Sequence, residues 1–410
     1  MRTLYLKKDE ERRVRAGHLW VFSNEVDQAR SPLKDFTPGE TARLVSQGGR
    51  PMGAVYVNPA ALICARVYSQ DPSARLDGDL LRQRLVQALG LRERLFERPS
   101  YRLVFSEGDF LPGLMVDRFG DFLVLQTTTA AMDRQVGVLA QILDDLLHPS
   151  AILLKNDASS RDLEGLAKEV RPLLGQIPEE GQAEEGGRTF SFAASGGQKT
   201  GWFHDMRDNR LALASFVRPG MRVLDAFSYV GGLGAAAAAR GGAVTCLDSS
   251  EPALALARRN AQAQGADLEA ALRGDAFEIL ENLRSQGQSF DVVSVDPPAF
   301  IKRKKDAKNG LAAYQRINRL ALDLVRDGGI MLTCSCSQHL PREELRKVLA
   351  RAASESRARV QILAQGHQAA DHPVHPAMPE TDYLKAFLVR VLRDGAGTGA
   401  ADSGAQSRPR

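Results

Sequence analysis

Cysteine is scarce in this chain, and it contains none of the long apolar runs that a membrane span requires. The 410 residues include four cysteines, Cys64, Cys246, Cys334 and Cys336. They are too few for a disulfide scaffold and lack the paired Cys-x-x-Cys spacing of a zinc site. No apolar run approaches the roughly 20 residues of a transmembrane helix, and the first residues contain no signal-peptide core. We therefore predict a protein of the reducing cytoplasm, outside the membrane.

The chain also lacks a large excess of charge of one sign. The 54 Lys and Arg residues are balanced by 50 Asp and Glu residues, which leaves a net charge of +4. This mild excess permits nucleic-acid binding through a local basic surface but does not require it, and an ordinary soluble surface is equally compatible. The apolar fraction of 43% is sufficient for hydrophobic cores, and the length predicts two or three domains.

The most informative stretch is Arg-Val-Leu-Asp-Ala-Phe-Ser-Tyr-Val-Gly-Gly at 222–232. It predicts a buried parallel strand ending at Asp225, then a tight turn through Gly231 and a helix. A glycine there lets a cofactor approach the backbone without meeting a Cβ atom. A carboxylate at the strand end repels a pyrophosphate but attracts an ammonium group, which S-adenosylmethionine (SAM) carries. The motif favours a SAM site over a dinucleotide site, and plain strand–helix packing is the third interpretation.

Two further carboxylates, Asp248 and Asp275, lie beside the ends of predicted strands and helices, as Asp225 does. Asp248 ends the next predicted strand, 243–247, about 20 positions after Asp225, where an acid can accept both hydroxyl groups of a ribose. That geometry serves nicotinamide cofactors and SAM alike. Asp275 precedes a predicted helix and is placed to receive an adenine amino group. Together the three carboxylates predict the acidic rim of a SAM site, against the alternative of unrelated surface acids.

A turn of Asp296, Pro297 and Pro298 follows the fourth predicted strand, 290–295. The prolines stiffen this turn, so that Asp296 and the local carbonyl groups hold their position beside a flat ring. Asp-Pro-Pro-x-aromatic at the carboxyl end of a strand is typical of methyltransferases that act on bases. The alternative is a structural cap on the strand.

Two segments are locally basic. Residues 7–15 precede the aromatic residues Trp20 and Phe22, and residues 301–308 directly follow the Asp-Pro-Pro turn. Basic residues beside aromatics or beside a catalytic loop suit contacts with RNA phosphates and bases. The competing interpretation is a solvated charged face in the first segment and a flexible loop in the second, with the two aromatics in the core.

The sequence Cys-Ser-Cys-Ser at 334–337 ends another predicted strand, 330–333. Cysteine is more often a core residue than a nucleophile. However, the carboxyl ends of parallel strands are where α/β active sites lie. Methylation of carbon 5 of a pyrimidine requires a thiolate that adds to carbon 6 and thereby activates the ring. Cys334 and Cys336 are both candidates on this ground.

Several motifs resemble one known family. Arg-Arg-Val-Arg-Ala-Gly-His-Leu-Trp-Val-Phe-Ser-Asn-Glu at 12–25 is similar to the opening of the PUA domain in the large-subunit (23S) ribosomal RNA methyltransferase I family. Ser-Glu-Gly-Asp at 106–109, Lys-Thr-Gly-Trp-Phe at 199–203 and Asp-x-Arg-Asp-Asn-Arg at 205–210 also recur there, in the same order. The resemblance covers about residues 4–392. His204 and Met206 depart from the leucine-like residue and the glutamine expected at those positions.

The resemblance implies an α/β protein with a PUA-like RNA-binding β-barrel in front. Its divisions are a PUA-like domain at 1–72, a central α/β domain at 73–190 and a Rossmann-like SAM methyltransferase domain at 191–393. Residues 394–410 are rich in Gly, Ala and Ser and are predicted to be disordered. Residues 177–188 are acidic and glycine-rich, and we predict an exposed turn or linker there.

The resemblance also implies the roles of particular residues. Ser-Cys-Ser assigns Cys336 as the nucleophile and leaves Cys334 structural, and Asp296 stabilises the activated ring. The predicted SAM-binding set is Gln198, Thr200, Gly201, Asp225, Phe227, Gly231, Asp248, Asp275 and Pro297. Histidines at 367, 372 and 375 lack the spacing of metal ligands, and no metal is predicted.

The implied reaction is SAM-dependent methylation of carbon 5 of a cytosine in large-subunit ribosomal RNA. Methylation of an exocyclic base nitrogen remains an alternative, because Asp-Pro-Pro also serves that reaction and Cys336 would then be dispensable. A non-catalytic RNA-binding assembly factor is the alternative from another class. A nicotinamide oxidoreductase is least supported, because the first glycine turn lacks the pyrophosphate-binding pattern. The sequence does not define the oligomeric state, and a homodimer is compatible with it.

Overall fold

The computed structural model describes residues 1–197 and 199–393. Gln198 and the predicted disordered tail at 394–410 lie outside the described residues. Within them, the strands form three larger sheets and one separate hairpin. None of the helices in the described part of the chain is long and apolar enough to cross a membrane.

The first sheet has five strands and uses only the N-terminal residues. Its strand order is β1-β3-β4-β5-β2, in which β1 and β3 are parallel and the other pairs are antiparallel. Alternating apolar residues such as Leu4, Leu44 and Val55 fill its core. The elements are β1 Arg2–Tyr5, α1 Glu11–Arg15, β2 Trp20–Phe22, β3 Glu40–Val45, β4 Pro51–Val57 and β5 Ile63–Ser69.

The second sheet also has five strands, in the order β10-β9-β8-β7-β6. The meander of the first three strands and the leucine-rich helix before it were both predicted, and Leu81 and Leu85 of that helix are fully buried against the sheet. The elements are α2 Gly78–Leu95, β6 Ser100–Phe105, β7 Leu114–Phe119, β8 Phe122–Thr127, α3 Ala130–Arg134, α4 Val136–Leu147, β9 Ala151–Asn156 and β10 Glu169–Leu174.

The predicted linker at 177–188 is wrong. The segment belongs to a hairpin of β11 Glu180–Glu185 and β12 Arg188–Ala193, with the glycine pair between the strands serving as its turn. Burial alternates along β11, so that Ala183 and Glu185 face inwards while Gln182 and Glu184 face solvent. Glu185 is tolerated inside because Arg210 pairs with it at 2.7 and 2.5 Å. The period of two, rather than the acidic composition, was the informative signal.

The third sheet has seven strands in the order β15-β14-β13-β16-β17-β19-β18. Strands β13 to β17 are parallel, and β19 runs antiparallel to both of its neighbours. The elements are α5 Arg207–Ala214, β13 Arg222–Ala226, α6 Gly232–Ala238, β14 Ala243–Asp248, α7 Glu251–Ala263, β15 Ala270–Arg273, α8 Ala276–Ser285, β16 Phe290–Val295, α9 Ala307–Leu324, β17 Val325–Ser335, α10 Arg342–Glu355, β18 Ala358–Gly366 and β19 Lys385–Arg393.

The strand order reverses between β13 and β16, because β14 follows β13 on one side and β16 lies on the other. In open parallel sheets, ligands bind outside the carboxyl ends of the strands at such a point. The α/β fold class and the Rossmann-like sheet are thereby confirmed. The residue limits of the three predicted domains stay predictions.

Candidate active site

Asp225 lies at the carboxyl end of β13, beside the reversal point. Its carboxylate is 4% exposed and accepts hydrogen bonds from the Gly234 backbone N–H at 2.9 Å and the Ser294 hydroxyl at 2.7 Å. Burial still raises its pKa to about 6, because these two bonds do not replace the lost hydration of the charge. A cationic ligand would stabilise the ionised form, which fits the predicted SAM ammonium group.

The glycine turn after β13 serves packing as well as any ligand. Gly231 has a φ of 71°, and a Cβ atom there would lie 2.6 Å from the Cβ of Ala257 on α7. The two helices therefore approach closely at this glycine, a reason that differs from the cofactor approach expected from the sequence. Phe227 and Tyr229 in the same turn also have positive φ values, of 64° and 50°. Such conformations cost about 1–3 kcal/mol each and cluster at ligand sites.

Asp248 and Asp275 both hydrogen-bond to nearby backbone groups. Asp248 accepts from the backbone N–H groups of Tyr229 and Ser250, each at 2.9 Å, and so ties the glycine turn to the end of β14. Asp275 is exposed and caps α8. Its Oδ1 atom takes the N–H of Phe277 at 2.9 Å and a second N–H at 3.2 Å. Each carboxylate keeps lone pairs for a ligand.

The loop before α5 carries the predicted cofactor residues Thr200 and Gly201. The side chain of Thr200 is 1% exposed, and its hydroxyl has no hydrogen-bond partner among the described residues. Gly201 has a φ of 108°, and a Cβ atom there would collide with the Phe192 ring. Trp202 stacks on Phe190 with ring centroids 5.0 Å apart. Gly201 and Trp202 thus pack the loop against the β11–β12 hairpin. The buried Thr200 hydroxyl keeps its hydrogen-bonding capacity for a ligand.

The two departures from the family signature are buried. His204 stacks on Phe119 of the second sheet at 5.0 Å, and burial lowers its pKa to about 4, so the ring is neutral at pH 7. Met206 packs in the core cluster that contains Val223 of β13 and Val244 of β14. His204 therefore packs between the second and third sheets, whereas Met206 belongs to the core of the third sheet.

Asp296 follows β16 on the other side of the reversal point. Its backbone N–H donates to the Ala226 carbonyl group at 3.4 Å, which holds the turn against β13, and Pro297 behind it is buried. Burial, and next the negative charge of Asp205, raise the pKa of Asp296 to about 7. A carboxyl group with this pKa is partly protonated at neutral pH and can donate a hydrogen bond.

The Ser-Cys-Ser turn at the end of β17 is held by its two serines. Ser335 donates to the hydroxyl of Tyr314 on α9 at 2.9 Å, and the hydroxyls of Ser337 and Tyr314 are 2.8 Å apart. Both serines are 0% exposed, whereas Cys336 between them is half-buried. Lys385 on β19 donates from Nζ to the Ser337 carbonyl group at 2.6 Å. The turn therefore presents the thiol of Cys336 from a rigid base.

Cys334 and Cys336 differ in their surroundings. Cys334 is 0% exposed within a hydrophobic core cluster, and burial raises its pKa well above the usual value. Burial also raises the pKa of Cys336, but the nearby Lys199 ammonium group acts in the opposite direction. The contrast in exposure supports the choice of Cys336 over Cys334.

Sequence reasoning missed the catalytic potential of Asp205 and Lys385. Asp205 is buried, and its charge raises the pKa of both Asp296 and Cys336. Burial lowers the pKa of Lys385 to about 8. Both residues lie in segments that resemble the family, and this was the only sequence signal for a role in the site. The fold is what brings them to the Cys336 turn. The site thus combines carboxylates suited to SAM with a thiol, a protonatable acid and a lysine.

Two family models match the chain. One describes a PUA-like domain and covers residues 4–70. The other describes an S-adenosylmethionine-dependent methyltransferase and covers residues 171–390, more than half of the chain. The cofactor predicted from the three carboxylates and the PUA-like fold of the first sheet are thereby confirmed.

Relatives and solved structures agree with these models. A protein named ribosomal RNA large subunit methyltransferase I from Cronobacter sakazakii is 38% identical over 397 residues, which are 95% of this chain and 99% of the relative. The protein of that name from Escherichia coli O127:H6 has the same identity and coverage.

Among solved structures, a methyltransferase in complex with SAH matches with a TM-score of 0.81 at 20% identity, over 95% of this chain and all of the other. A SAM-dependent methyltransferase from Streptococcus mutans matches with a TM-score of 0.80 at 19% identity and the same coverage. At these identities the structures establish only the shared fold. Taken with the curated relatives, which align over nearly their whole length, they show that this chain belongs to the ribosomal RNA large subunit methyltransferase I family.

Proposed function

We propose that this protein methylates carbon 5 of a cytosine in large-subunit ribosomal RNA, with Cys336 as the nucleophile. The name of the relatives supplies the class of RNA. The observation that carries the choice of reaction is the Ser-Cys-Ser turn, where a half-buried thiol is held between two fully buried serines. A thiol needed only for packing would have been placed inward, as Cys334 is.

The proposed reaction begins with addition of the Cys336 thiolate to carbon 6 of the base, which makes carbon 5 nucleophilic. Asp296, in its protonated form, donates a hydrogen bond to ring atom N3 and stabilises the charge that develops there. SAM supplies an electrophilic methyl group when it is bound, held by Asp225, Asp248 and Thr200. A base then takes the proton from carbon 5, the bond between carbon 6 and the Cys336 sulfur breaks, and the ring is restored with release of the thiolate. The base is flipped out or unpaired to reach this turn.

Formation of the thiolate needs support, because burial opposes it. The Lys199 ammonium group, which lies close enough to lower the pKa of Cys336, provides one source. Lys385 provides another: its Nζ atom donates to the carbonyl groups of Ser337 at 2.6 Å and Tyr383 at 2.7 Å. The charges of Lys199 and Lys385 favour the thiolate over the thiol.

The RNA backbone is proposed to follow the basic segment at 301–308. Lys302, Lys304 and Lys305 are exposed, as are Arg303 and Lys308. The segment is anchored beside the nucleophile, because the Ile301 backbone N–H donates to the Ser337 hydroxyl at 3.2 Å. Exposed cations next to a reactive thiol suit the phosphates that flank a flipped base, and binding is then expected to weaken as salt is added.

The test is nucleoside mass spectrometry of large-subunit RNA that lacks its modifications. This RNA is incubated with methyl-labelled SAM and the wild-type protein, Cys336→Ala or the matched control Cys334→Ala. We expect label in 5-methylcytidine with the wild type and with Cys334→Ala, and none with Cys336→Ala. No label from any of the three proteins, on free RNA and on partly assembled subunits, would favour an RNA-binding assembly factor.

A second candidate is methylation of an exocyclic nitrogen of a base. It is favoured by the raised pKa of Cys336, since a reaction that does not use this thiol avoids the cost of forming a buried thiolate. The same experiment separates the two reactions. Label in an N-methylated nucleoside that persists with Cys336→Ala would establish the second candidate and overturn the thiol mechanism.

A further inference from the structure

The carboxylate of Asp205 faces the site with one oxygen unused. The residue is 5% exposed, in the short turn before α5. Its Oδ2 atom accepts a hydrogen bond from the Tyr383 hydroxyl at 2.5 Å. Its Oδ1 atom is buried and has no hydrogen-bond partner within residues 1–197 and 199–393. Because a buried acceptor without a partner is costly, it is expected to gain one when the site is filled.

Asp205 is joined to the Cys336 turn through Tyr383 and Lys385. The Tyr383 hydroxyl holds Asp205, and the Tyr383 carbonyl group accepts from the Lys385 Nζ atom at 2.7 Å. The same Nζ atom donates to the carbonyl group of Ser337, next to Cys336. The charge of Asp205 acts on Asp296 and Cys336 alike. The Asp205 carboxylate therefore lies within electrostatic range of the acid and the thiol that are proposed to act on the base.

The pKa values of Asp205 and Asp296 are shifted in opposite directions. Burial favours the neutral form of Asp205, yet Lys199, His372 and the Tyr383 hydroxyl outweigh it and lower its pKa below the usual value. Burial and the neighbouring charge of Asp205 raise the pKa of Asp296 to about 7. The pair thus offers an acceptor at Asp205 and, in its protonated form, a donor at Asp296.

Cytosine has the complementary pattern along one edge. Its 4-amino group donates hydrogen bonds, and its N3 atom accepts one. Uracil has the reverse pattern, with an acceptor at position 4 and a donor at N3. A carboxylate facing position 4 would attract the amino group of cytosine and repel the carbonyl oxygen of uracil.

We propose that the free oxygen of Asp205 accepts a hydrogen bond from the 4-amino group of the target cytosine and so selects cytosine over uracil. The inference rests on the proposed function and adds the residue that recognises the base. In this proposal Asp296 donates a hydrogen bond to N3 of the reacting ring, and Asp205 recognises the base through the group at position 4. If Asp205 were only a structural partner of Tyr383, its second oxygen would have no role in that choice.

The first test uses two RNAs that differ only in cytosine or uracil at the methylated position. Sites that hydrogen-bond a polar group reject the analogue without it by about 10⁴-fold or more, and we expect this ratio of kcat/KM in the wild type. Asp205→Asn should reduce the ratio at least about 100-fold, because the amide nitrogen can donate to the uracil oxygen. Tyr383→Phe, the matched control, should keep the ratio within about tenfold.

Two other outcomes would overturn the inference while the proposed function stands. With wild-type formation of 5-methylcytidine established, an equal loss on both RNAs in Asp205→Asn would make the residue structural. Accumulation of a methylated covalent adduct in that variant would identify Asp205 instead as the base that removes the carbon 5 proton. A wild type that forms no 5-methylcytidine would overturn the proposed function itself.

A second measurement needs no change at Asp205 and so does not depend on the folding of the variant. The Cys336→Ala protein, which cannot form the adduct, is titrated with RNA that carries cytosine or 2-pyrimidinone at the target. 2-Pyrimidinone is cytosine without its amino group. We expect about tenfold weaker binding of the 2-pyrimidinone RNA, and the same affinity for both RNAs would overturn the inference.

Discussion

The rim of the seven-stranded sheet has two sides that differ in how their carboxylates are satisfied. On the β13–β15 side, Asp225, Asp248 and Asp275 all accept hydrogen bonds from backbone N–H groups. On the β16–β17 side, the Asp205 carboxylate accepts from the Tyr383 hydroxyl through Oδ2, and its Oδ1 atom has no hydrogen-bond partner in the part of the chain that the structure describes. The difference lies in the number of local donors, since both sides contain buried acids.

This difference corresponds to two tasks. A carboxylate bonded to the backbone keeps its position without a ligand, so the β13–β15 side is preorganised to bind. The unfavourable burial energy of the charged form is larger at Asp296, whose pKa burial and the charge of Asp205 raise to about 7, than at Asp225, whose pKa burial raises to about 6. This burial energy is recovered when the target base forms hydrogen bonds with the groups on the β16–β17 side during the reaction. Interactions that form in the transition state accelerate the reaction, whereas interactions already present with the bound substrate only strengthen binding.

The largest expected effect is on the β13–β15 side, where Asp225→Asn should weaken SAM binding by about 30- to 5,000-fold. Removing one member of a buried charge pair costs about 2–5 kcal/mol. Isothermal titration calorimetry measures the affinity, and Cys336→Ala is the control that should bind SAM as the wild type does. Unchanged affinity in Asp225→Asn would mean that the SAM ammonium group is held elsewhere.

Although Asp225→Asn should weaken SAM binding, it should make the SAM-free protein more stable than the wild type. The pKa of Asp225 is about 6 in the folded protein against about 4 when unfolded. The folded state therefore binds the proton more tightly, and the wild type loses stability as the pH rises from 4 through 6. The gain of Asp225→Asn over the wild type should grow across this range, by up to about 3 kcal/mol. Thermal unfolding of the SAM-free proteins at pH 4.5 and 7.5 measures it, and a gain that shrinks instead would contradict the burial argument.

The β13–β15 side was predictable from the sequence, and the β16–β17 side only in part. Asp225 and Asp248 end apolar strands, and parallel strands bring their carboxyl ends to one edge, so local pattern and topology suffice. Asp296 and Cys336 were recognised by motif. The place of Asp205 depends on Tyr383, which is 178 positions away. No local pattern predicts such a side-chain contact, and composition misled at the β11–β12 hairpin, where a buried ion pair with Arg210 compensates the inward Glu185.

A second prediction concerns the acid on the β16–β17 side. The active form needs Asp296 protonated and Cys336 ionised, although their pKa values lie in the opposite order. Its population rises with pH up to about 7 and is then constant until the thiol ionises. In the wild type, kcat/KM therefore stops rising near pH 7, and we call this bend the limb near 7. In Asp296→Asn the limb near 7 should vanish, so that kcat/KM continues to rise beyond pH 8. At pH 7 the variant should be about 100-fold less active.

The pH profile of methyl transfer measures this, with Asp306→Asn as the control for loss of a partly exposed acid in the neighbouring basic segment. The control should keep the limb near 7. A limb that persists in Asp296→Asn would assign the titration to another group and remove Asp296 from its proposed role.

A smaller effect is expected at Cys334, which lies one residue from the reactive turn but in the core. Cys334→Ala removes a fully buried sulfur from a packed cluster and should lower the free energy of unfolding by about 1–3 kcal/mol. Methylation below the unfolding temperature should be unchanged. Denaturant unfolding and a methylation assay on the same preparation check both points, and loss of activity with normal stability would make Cys334 the nucleophile.

The smallest effect tests whether one carboxylate on the β13–β15 side performs two tasks. Asp275 caps α8 through Oδ1, and the sequence predicts that it also receives the adenine amino group. Asp275→Ala should cost about 1 kcal/mol of stability, whereas Asp275→Ser keeps a capping oxygen and should restore most of it. Because serine is too short and uncharged to reach the adenine, both variants should bind SAM about three- to tenfold more weakly. If affinity instead returns with stability in Asp275→Ser, capping alone explains this residue, and the backbone-bonded side of the rim contacts the cofactor through Asp225 and Asp248 only.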